Sequence, residues 1–138
     1  MDKALLDTDI FSEVLKGIDP HVVAQATTYR AFFDRYTIST ITVLEIVKGL
    51  HKMEREDRIQ KFLNGLTTVD ILALDVQSAE LAGRIYADLE RTGQPIGRAD
   101  PIIAAIALQY GFTLVTGNQA HYQRIQDLGY ELALDNWR

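Results

Sequence analysis

The sequence has no cysteine among its 138 residues. Disulfide bonds and thiolate metal sites are therefore excluded, and the absence fits a reducing compartment. No apolar run approaches the roughly 18–20 residues that are needed to cross a bilayer. The sequence also lacks the pattern of a signal peptide, which is a basic start followed by an apolar stretch and a small-residue cleavage site. We therefore expect a cytoplasmic protein that does not associate with membranes.

Basic residues are outnumbered by acidic ones, 14 to 19, which gives a formal net charge of −5. Nucleic-acid-binding proteins usually carry a basic footprint, so the overall charge does not indicate that function. It does not exclude it, because a metal ion and a local basic rim can meet phosphates at a site built of carboxylates. The length and the 47% hydrophobic content fit one globular domain that spans residues 1–138.

Short apolar segments alternate with amphipathic ones along the chain. Strands are predicted at Ala4–Asp7, Thr37–Ser39, Val69–Leu74, Phe112–Val115 and Glu131–Leu134. The intervening helices are expected to run from Thr8 or Asp9 to Lys16, from Asp19 to about Tyr36, from Thr40 or Thr42 through Leu50, and over Glu54–Leu66, Gln77–Arg91, Asp100–Tyr110 and His121–Asp127. The alternation predicts a parallel sheet with helices on both faces, whose ligands bind beyond the carboxyl ends of the strands.

Two carboxylates, Asp7 and Asp9, stand at the end of the first predicted strand in the sequence KALLDTDIF. The pattern has three interpretations: a D-x-D nucleophile of the phosphatase type, one corner of a metal site, or a helix cap. A second polar turn, Thr116-Gly117-Asn118, follows the strand TLV. Both turns are expected at the same edge of the sheet.

Two further acids are attached to apolar segments. Glu45 lies within ITVLEIVKGL, where an unpaired buried carboxylate is costly unless a cation meets it; the alternative is a partly exposed side chain that flanks the core. Asp100 precedes Pro101, which is also an ordinary helix start. Together with Asp7 they are three hard oxygen donors on separate elements, the ligand type that Mg²⁺ and Mn²⁺ prefer.

Phosphatase and receiver functions fit the sequence poorly. Haloacid-dehalogenase-type proteins usually carry threonine two positions after the second aspartate, where this chain has Phe11, and Asp100 opens a helix instead of belonging to an acidic pair at a strand end. A receiver domain would use Asp75, which follows the strand ILAL. It also needs a lysine at the end of a late strand, and TLVTGN offers none.

Four segments in order carry a resemblance to a known family: LLDTDI, STITVLEIVKGL, GQPIGRADPIIAAIALQYGFTLVTGN and ALDNW. The chain resembles PIN-domain toxins of the VapC type, from type II toxin–antitoxin pairs. The resemblance implies a three-layer α/β/α sandwich with a mostly parallel central sheet of about five strands. It also implies a metal-dependent endoribonuclease that leaves 5′-phosphate and 3′-hydroxyl ends.

The resemblance assigns site residues one by one. Asp7, Glu45 and Asp100 match the acids that bind Mg²⁺ or Mn²⁺ and carry catalysis. At the fourth catalytic position the chain has Asn118, with His121 shortly after it. An amide brings no charge, so one tightly held ion is expected instead of two. Asp9 stands where the family usually has asparagine, and we expect it to cap the first helix.

The expected RNA contacts are Lys48, Lys52, Arg98, Thr116 and His121. Basic side chains supply most sequence-independent affinity for phosphates, although each of these cations is equally explained as solvated surface charge. Thr116 is expected to orient Asp7 or a water molecule, or is an ordinary strand-end threonine. His121 is expected to contact phosphate or carry a proton, or is structural.

The resemblance also implies partners: an RNA substrate, a VapB-type antitoxin and a second copy of the chain in a homodimer. An antitoxin segment is expected in a groove that the helices Asp9–Lys16 and Glu54–Leu66 wall. Two function classes remain open. One is an active ribonuclease toxin, and the other is a catalytically weak PIN-fold module that binds RNA or antitoxin.

Overall fold

The computed structural model describes residues 1–94 and 99–138. Its strands are β1 (Ala4–Leu6), β2 (Thr37–Ser39), β3 (Asp70–Leu72), β4 (Thr113–Val115) and β5 (Leu134–Asp135). Its α-helices are α1 (Thr8–Lys16), α2 (Pro20–Phe33), α3 (Thr40–Lys52), α4 (Glu56–Gly65), α5 (Val76–Arg91), α6 (Asp100–Tyr110) and α7 (Gln119–Asp127), and a 3₁₀ turn covers Leu66–Thr68. Arg98, one of the predicted RNA contacts, lies outside the described residues. Within the described ranges, no helix is both long and apolar enough to cross a membrane.

The strands pair in parallel, as the alternation predicts. β4 lies between β1 and β5, and β2 pairs with β3. β1 also lies beside β2, but hydrogen bonds divide the described strands into a three-stranded and a two-stranded sheet. The single five-stranded sheet of the prediction is therefore interrupted. Each strand has only two or three residues, and β1 and β2 lie side by side without a shared hydrogen-bond ladder.

Two hydrophobic clusters cover the opposite faces of the three-stranded sheet. Leu5 and Leu114 pack against buried side chains of α5, α6 and α7. Leu6 and Val115 pack against buried side chains of α1 and α2. Successive strand residues point to opposite faces, so each strand contributes to both clusters. The three-layer α/β/α architecture is confirmed.

Helix α6 is the most deeply buried of the described helices. Its apolar run leaves Ile103, Ala104, Ala105, Ile106 and Ala107 at most 1% exposed. The helix ends at Gly111, which adopts a left-handed φ of 68° that glycine tolerates without a steric cost. Burial of this helix fixes its first residue, Asp100, near the ends of the strands.

The helix caps differ from the prediction. Asp7, not Thr8 or Asp9, caps α1 with its own backbone still extended. Ser39 caps α3 in place of Thr40 or Thr42. Asp7 directly follows β1 and Ser39 is the last residue of β2, and both keep an extended backbone because an N-cap needs β-region dihedral angles. No loop separates these strands from their helices.

A helix cap was the alternative interpretation of Asp100, and the structure contradicts it. The N-cap position of α6 falls on Ala99, and no side chain caps that helix. The carboxylate of Asp100 is engaged in tertiary contacts instead.

Several element boundaries shift by a few residues. Helix α2 ends at Phe33, short of Tyr36, because Asp34 turns the chain with a positive φ of 62°. Strand β3 is shorter than predicted. The last strand begins at Leu134, later than expected, because that residue pairs with Leu114 of β4.

Candidate active site

Asp7 is the centre of the site, at the junction of β1 and α1. Its side chain is only 4% exposed. Asp7 Oδ1 accepts a hydrogen bond from the Thr8 amide at 2.9 Å. Asp7 Oδ2 accepts hydrogen bonds from the Thr116 hydroxyl at 2.8 Å and the Tyr122 hydroxyl at 3.1 Å. The carboxylate is thus held by three groups, and Thr116 makes the contact that the sequence suggested.

Burial gives Asp7 an unusual acidity. Its pKa is raised from 3.8 to about 6, mainly because burial desolvates the carboxylate and also because the charge of Asp9 is near, while the hydrogen bonds from Thr116, Thr8 and Tyr122 act in the opposite direction. In the part of the chain that the structure describes, no lysine or arginine forms an ion pair with Asp7. Within the described residues, the carboxylate of Asp7 is therefore buried without an ion-pair partner.

Tyr122 links Asp7 to the second acid, Asp100. The Tyr122 side chain is fully buried, and its hydroxyl also lies 3.2 Å from Asp100 Oδ1. Burial raises the pKa of the Tyr122 hydroxyl well above 10, and the charges of Asp7 and Asp100 raise it further, so the group stays protonated. The network continues to the half-exposed His121, whose Nδ1 lies 3.2 Å from Asp100 Oδ2.

The sequence analysis did not identify Tyr122. A tyrosine one residue after His121 on a short amphipathic helix is typical of a core residue, and its ring is indeed in the core. Only its hydroxyl reaches the acids. The one available signal was its position on the helix that follows TLVTGN at the carboxyl edge of the sheet.

Glu45 lies on α3 and is half-buried. Its Oε1 accepts a hydrogen bond from the Thr8 hydroxyl at 2.7 Å. The same Thr8 oxygen lies 2.9 Å from the Thr42 hydroxyl oxygen. Because Thr8 follows Asp7 directly, this contact holds the third acid beside the first.

The loop after β4 carries the fourth predicted catalytic residue. The backbone N–H of Asn118 donates a hydrogen bond of 3.0 Å to Thr116 Oγ1. The Asn118 residue is exposed, and its side chain does not cap α7. The structure thus places Asn118 at the rim of the site, on the loop that holds Asp7, and not among the three acids.

Asp9 and Arg138 fix this loop from outside. The Gly117 amide donates a hydrogen bond of 2.9 Å to Asp9 Oδ2, so the predicted capping role of Asp9 is replaced by a link between α1 and the loop. Arg138 Nη2 lies 3.8 Å from Asp9 Oδ2 and 3.9 Å from Glu13 Oε1. A Cβ atom at Gly117 would lie 2.6 Å from both Asp9 Oδ2 and Arg138 Nη1. Glycine is therefore the residue that fits.

Lys48 and Lys52 are exposed on the later turns of α3. They share that helix with Glu45, and among the described residues neither forms an ion pair with the three acids. Their position is compatible with a path for RNA phosphates that leads away from the site, and equally with solvated charge.

The donor set fits a hard divalent cation. Asp7 and Asp100 converge on the Tyr122 hydroxyl, and Glu45 is attached to Thr8 beside them. Among residues 1–94 and 99–138, no three histidine, aspartate or glutamate side chains are close enough together to form a ready metal cluster. The oxygen ligands nevertheless match Mg²⁺ or Mn²⁺, and the raised pKa of Asp7 reflects a buried negative charge that a cation would offset.

Comparison with known proteins places this geometry in a family. Residues 4–127 match the PIN domain. The chain is 30% identical over 132 residues to the tRNA(fMet)-specific endonuclease VapC of Shigella flexneri, an alignment that covers 95% of this chain and 98% of the relative. It is 31% identical over 141 residues to ribonuclease VapC2 of Haemophilus influenzae, with 99% of each chain covered.

Solved structures agree with the sequence relatives. The fold matches the DNA-bound VapBC complex of Salmonella typhimurium with a TM-score of 0.82 and 29% identity over the whole of both chains. It matches VapBC-1 of nontypeable Haemophilus influenzae with a TM-score of 0.80 and 29% identity over 97% of each chain. The chain therefore belongs to the PIN-domain family, within its VapC group of toxin–antitoxin proteins.

Proposed function

We propose that this protein is a metal-dependent endoribonuclease, the toxin of a toxin–antitoxin pair, and that it hydrolyses RNA phosphodiester bonds. The observation that carries the proposal is the convergence of Asp7 and Asp100 on one buried hydroxyl, with Glu45 held beside them through Thr8. The names of the VapC relatives as ribonucleases and endonucleases support it.

Asp7, Glu45 and Asp100 are the residues that would hold one Mg²⁺ or Mn²⁺ ion. Such an ion, when bound, supplies Lewis-acid chemistry, because it polarises a phosphate oxygen and lowers the pKa of water. Asn118 is neutral and exposed at the rim, so a second tightly held ion is not expected. We assign Asn118 to orienting water or phosphate by hydrogen bonds.

The three acids have different capacities for proton transfer. Asp7 already accepts hydrogen bonds from three groups, which orient it. Glu45 accepts one side-chain hydrogen bond, from Thr8. A carboxylate has about four lone-pair positions, so Glu45 has more positions free to accept a hydrogen bond than Asp7. We therefore propose that Glu45 accepts the proton of the attacking water. His121 is half-exposed beside Asp100 and is assigned to contact the RNA phosphate.

RNA binding is assigned to the exposed cations near the site. Lys48 and Lys52 lie one turn apart on the helix that carries Glu45. Arg98 stays a prediction from the sequence. A relative is named for its action on tRNA(fMet), so tRNA is the first substrate to test, alongside ribosomal and messenger RNA fragments.

The experiment is cleavage of a small-RNA pool that includes tRNA, by purified protein freed of any antitoxin. Reactions contain Mg²⁺, Mn²⁺ or chelator, and Asp7→Asn and Asp100→Asn are compared with wild type. Asp57→Asn is the matched control, because Asp57 is an exposed aspartate that pairs with Arg55 at 3.3 Å and lies on α4. We expect cutting that requires metal, is lost in both site variants and is retained in the control.

Cutting that survives chelator and both substitutions would refute the proposed nuclease. Binding of RNA without cutting under either metal and across the tested RNAs would favour the second function, a catalytically weak binding module. The neutral Asn118 at the rim is the observation that keeps this second function open.

The antitoxin partner is proposed to bind in a groove of about 880 Å³ between α1, α2, α3 and α4. Apolar side chains that include Phe11, Val14, Ile46 and Phe62 line it, and α1 and α4 form two of its walls, as the sequence suggested. Amphipathic helices commonly bind in such grooves through an apolar face. Structures of VapBC complexes are similar to this chain, which supports an antitoxin as the occupant.

Charge on the groove narrows the chemistry of that partner. Lys16, Arg30, Arg58 and Lys61 all line it, although the chain as a whole is acidic. We therefore propose that the bound segment is amphipathic with acidic residues at its edges. A homodimer and a cytoplasmic location remain predictions, which light scattering and cell fractionation test.

A further inference from the structure

We propose that Tyr122 is a positioning residue for the acids of the site, and that its hydroxyl fixes the relative placement of the Asp7 and Asp100 carboxylates for metal binding. The inference rests on the proposed metal-dependent nuclease function and adds to it a residue that does not itself bind the ion.

The geometry gives the hydroxyl a role that the ring does not have. The Tyr122 ring is 0% exposed among the side chains of α5 and α6, where a phenylalanine would fill the same space. The hydroxyl lies 3.1 Å from Asp7 Oδ2 and 3.2 Å from Asp100 Oδ1. A phenol has one proton and can donate fully to only one carboxylate at a time. The two acids therefore share this hydroxyl as a common partner, in addition to the separate partners of each.

The two acids depend on Tyr122 to different degrees. Asp7 keeps the Thr8 amide and the Thr116 hydroxyl if the phenol is removed. Among the described residues, Tyr122 is the only hydrogen-bond donor to Asp100 Oδ1, and Oδ2 contacts only the half-exposed His121. Removal of the hydroxyl should therefore release mainly Asp100. Groups that orient metal ligands commonly contribute to metal affinity in this way.

The test variant is Tyr122→Phe, which removes the hydroxyl and keeps the ring. Tyr130→Phe is the matched control, because the Tyr130 hydroxyl donates a 2.6 Å hydrogen bond to the carboxylate of Asp88, away from the site. Mn²⁺ binding is measured by electron paramagnetic resonance without RNA, and cleavage is measured as a function of metal concentration. We expect Tyr122→Phe to weaken Mn²⁺ binding and raise the metal requirement roughly tenfold, at the lower end for such groups because Asp7 keeps two partners.

Wild-type Mn²⁺ affinity in a folded Tyr122→Phe variant would overturn the inference and leave the nuclease proposal intact. If cutting survives both chelator and the Asp7→Asn and Asp100→Asn substitutions, the proposed function itself fails. If the Tyr122→Phe variant does not fold, a measurement on the unmutated chain still tests the inference. With 3-fluorotyrosine incorporated, the ¹⁹F resonance of Tyr122 should shift when Mg²⁺ is added while that of Tyr130 stays constant. An unchanged Tyr122 resonance at saturating Mg²⁺ would overturn the inference.

Discussion

The Thr116 hydroxyl donates a hydrogen bond of 2.8 Å to Asp7 Oδ2 across 109 positions of sequence. The sheet register produces this contact. Leu6 pairs with Val115 in parallel strands, so the next residue of each strand emerges at the same edge. The side chain that holds the central acid is thus specified by strand pairing.

Replacement of Thr116 by valine tests this contact. Valine keeps the shape of threonine and removes the hydroxyl, so Asp7 loses one orienting donor and the Asn118 amide loses its acceptor. We expect metal-dependent cleavage to fall roughly tenfold, the lower range for partners that orient a metal ligand. Thr113→Val on the same strand is the control. Equal activity in the two variants would show that Thr116 does not orient Asp7.

Asp7 should make the stability of the metal-free protein depend on pH. Its pKa is about 6 when folded and 3.8 as the ordinary value, so between these values the folded protein holds a proton that the unfolded chain has lost. Stability should therefore fall as pH rises from about 4 to about 6, by roughly 2–3 kcal/mol, and this contribution is constant above that. Chemical denaturation in chelator at pH 4.5 and pH 7 measures it.

Asp7→Asn isolates that effect from the other titrating groups. The amide has no charge to bury, so the variant should lose this component of the pH dependence and be more stable than wild type at pH 7 in chelator. Asp57→Asn, at an exposed position, should retain the wild-type pH profile. Parallel pH profiles for wild type and Asp7→Asn would contradict the assignment of a buried, uncompensated charge.

Gly117→Ala tests how tightly the loop is held. A methyl group there would lie 2.6 Å from Asp9 Oδ2 and Arg138 Nη1, so the ends of these side chains or the loop must move, and the hydrogen bond from the Gly117 amide to Asp9 is strained. We expect a loss of about 1–3 kcal/mol in the free energy of unfolding, typical of overpacking, with weaker cleavage because a displaced loop carries Thr116 with it. Gly83→Ala is the control, since beyond its neighbours and its own helix backbone no described atom lies within 4 Å of its Cβ position in α5. It should gain up to about 1 kcal/mol from helix propensity. Equal stability of the two variants would show that Asp9 and Arg138 do not hold the loop tightly at Gly117.

Charge reversal should distinguish the proposed RNA-binding surface on α3 from the proposed antitoxin groove. Lys48→Glu is expected to weaken RNA binding and reduce the slope of log affinity against log salt by about 1, with antitoxin binding unchanged. Lys61→Glu in the groove is expected to weaken binding of the copurified antitoxin and leave RNA binding unchanged. Fluorescence anisotropy with labelled RNA and calorimetry with antitoxin measure the two. If both variants affect the same ligand, the division of the surface is wrong.

Local sequence signals were sufficient for the order of elements, while the roles of the three acids stay predictions. The buried run of α6 and the glycine that ends it are visible in the sequence, and they locate Asp100 at a helix start. The alternation of strands and helices predicts that Asp7 and Thr116 share an edge, and the structure brings them into contact.

The contacts that complete the site depend on tertiary structure. Asp7 caps α1 because β1 and α1 join without a loop, a detail that propensity leaves open between neighbouring residues. The position of Tyr122 in the sequence pattern is that of a core residue, and only the packing of α7 brings its hydroxyl to the acids. The link from Asp9 to Gly117 and Arg138 joins three distant segments, and no periodicity predicts it. Division of the strands into two sheets likewise depends on how short strands meet.

The most direct test of the metal centre is an anomalous-scattering map from crystals of the protein soaked in Mn²⁺. The account predicts one strong manganese peak with carboxylate oxygens of Asp7 and Asp100 as ligands and Glu45 adjacent, and loss of that peak in Asp7→Asn crystals. Manganese bound only at other residues, or an undiminished peak in the variant, would contradict a metal-dependent site built on these acids.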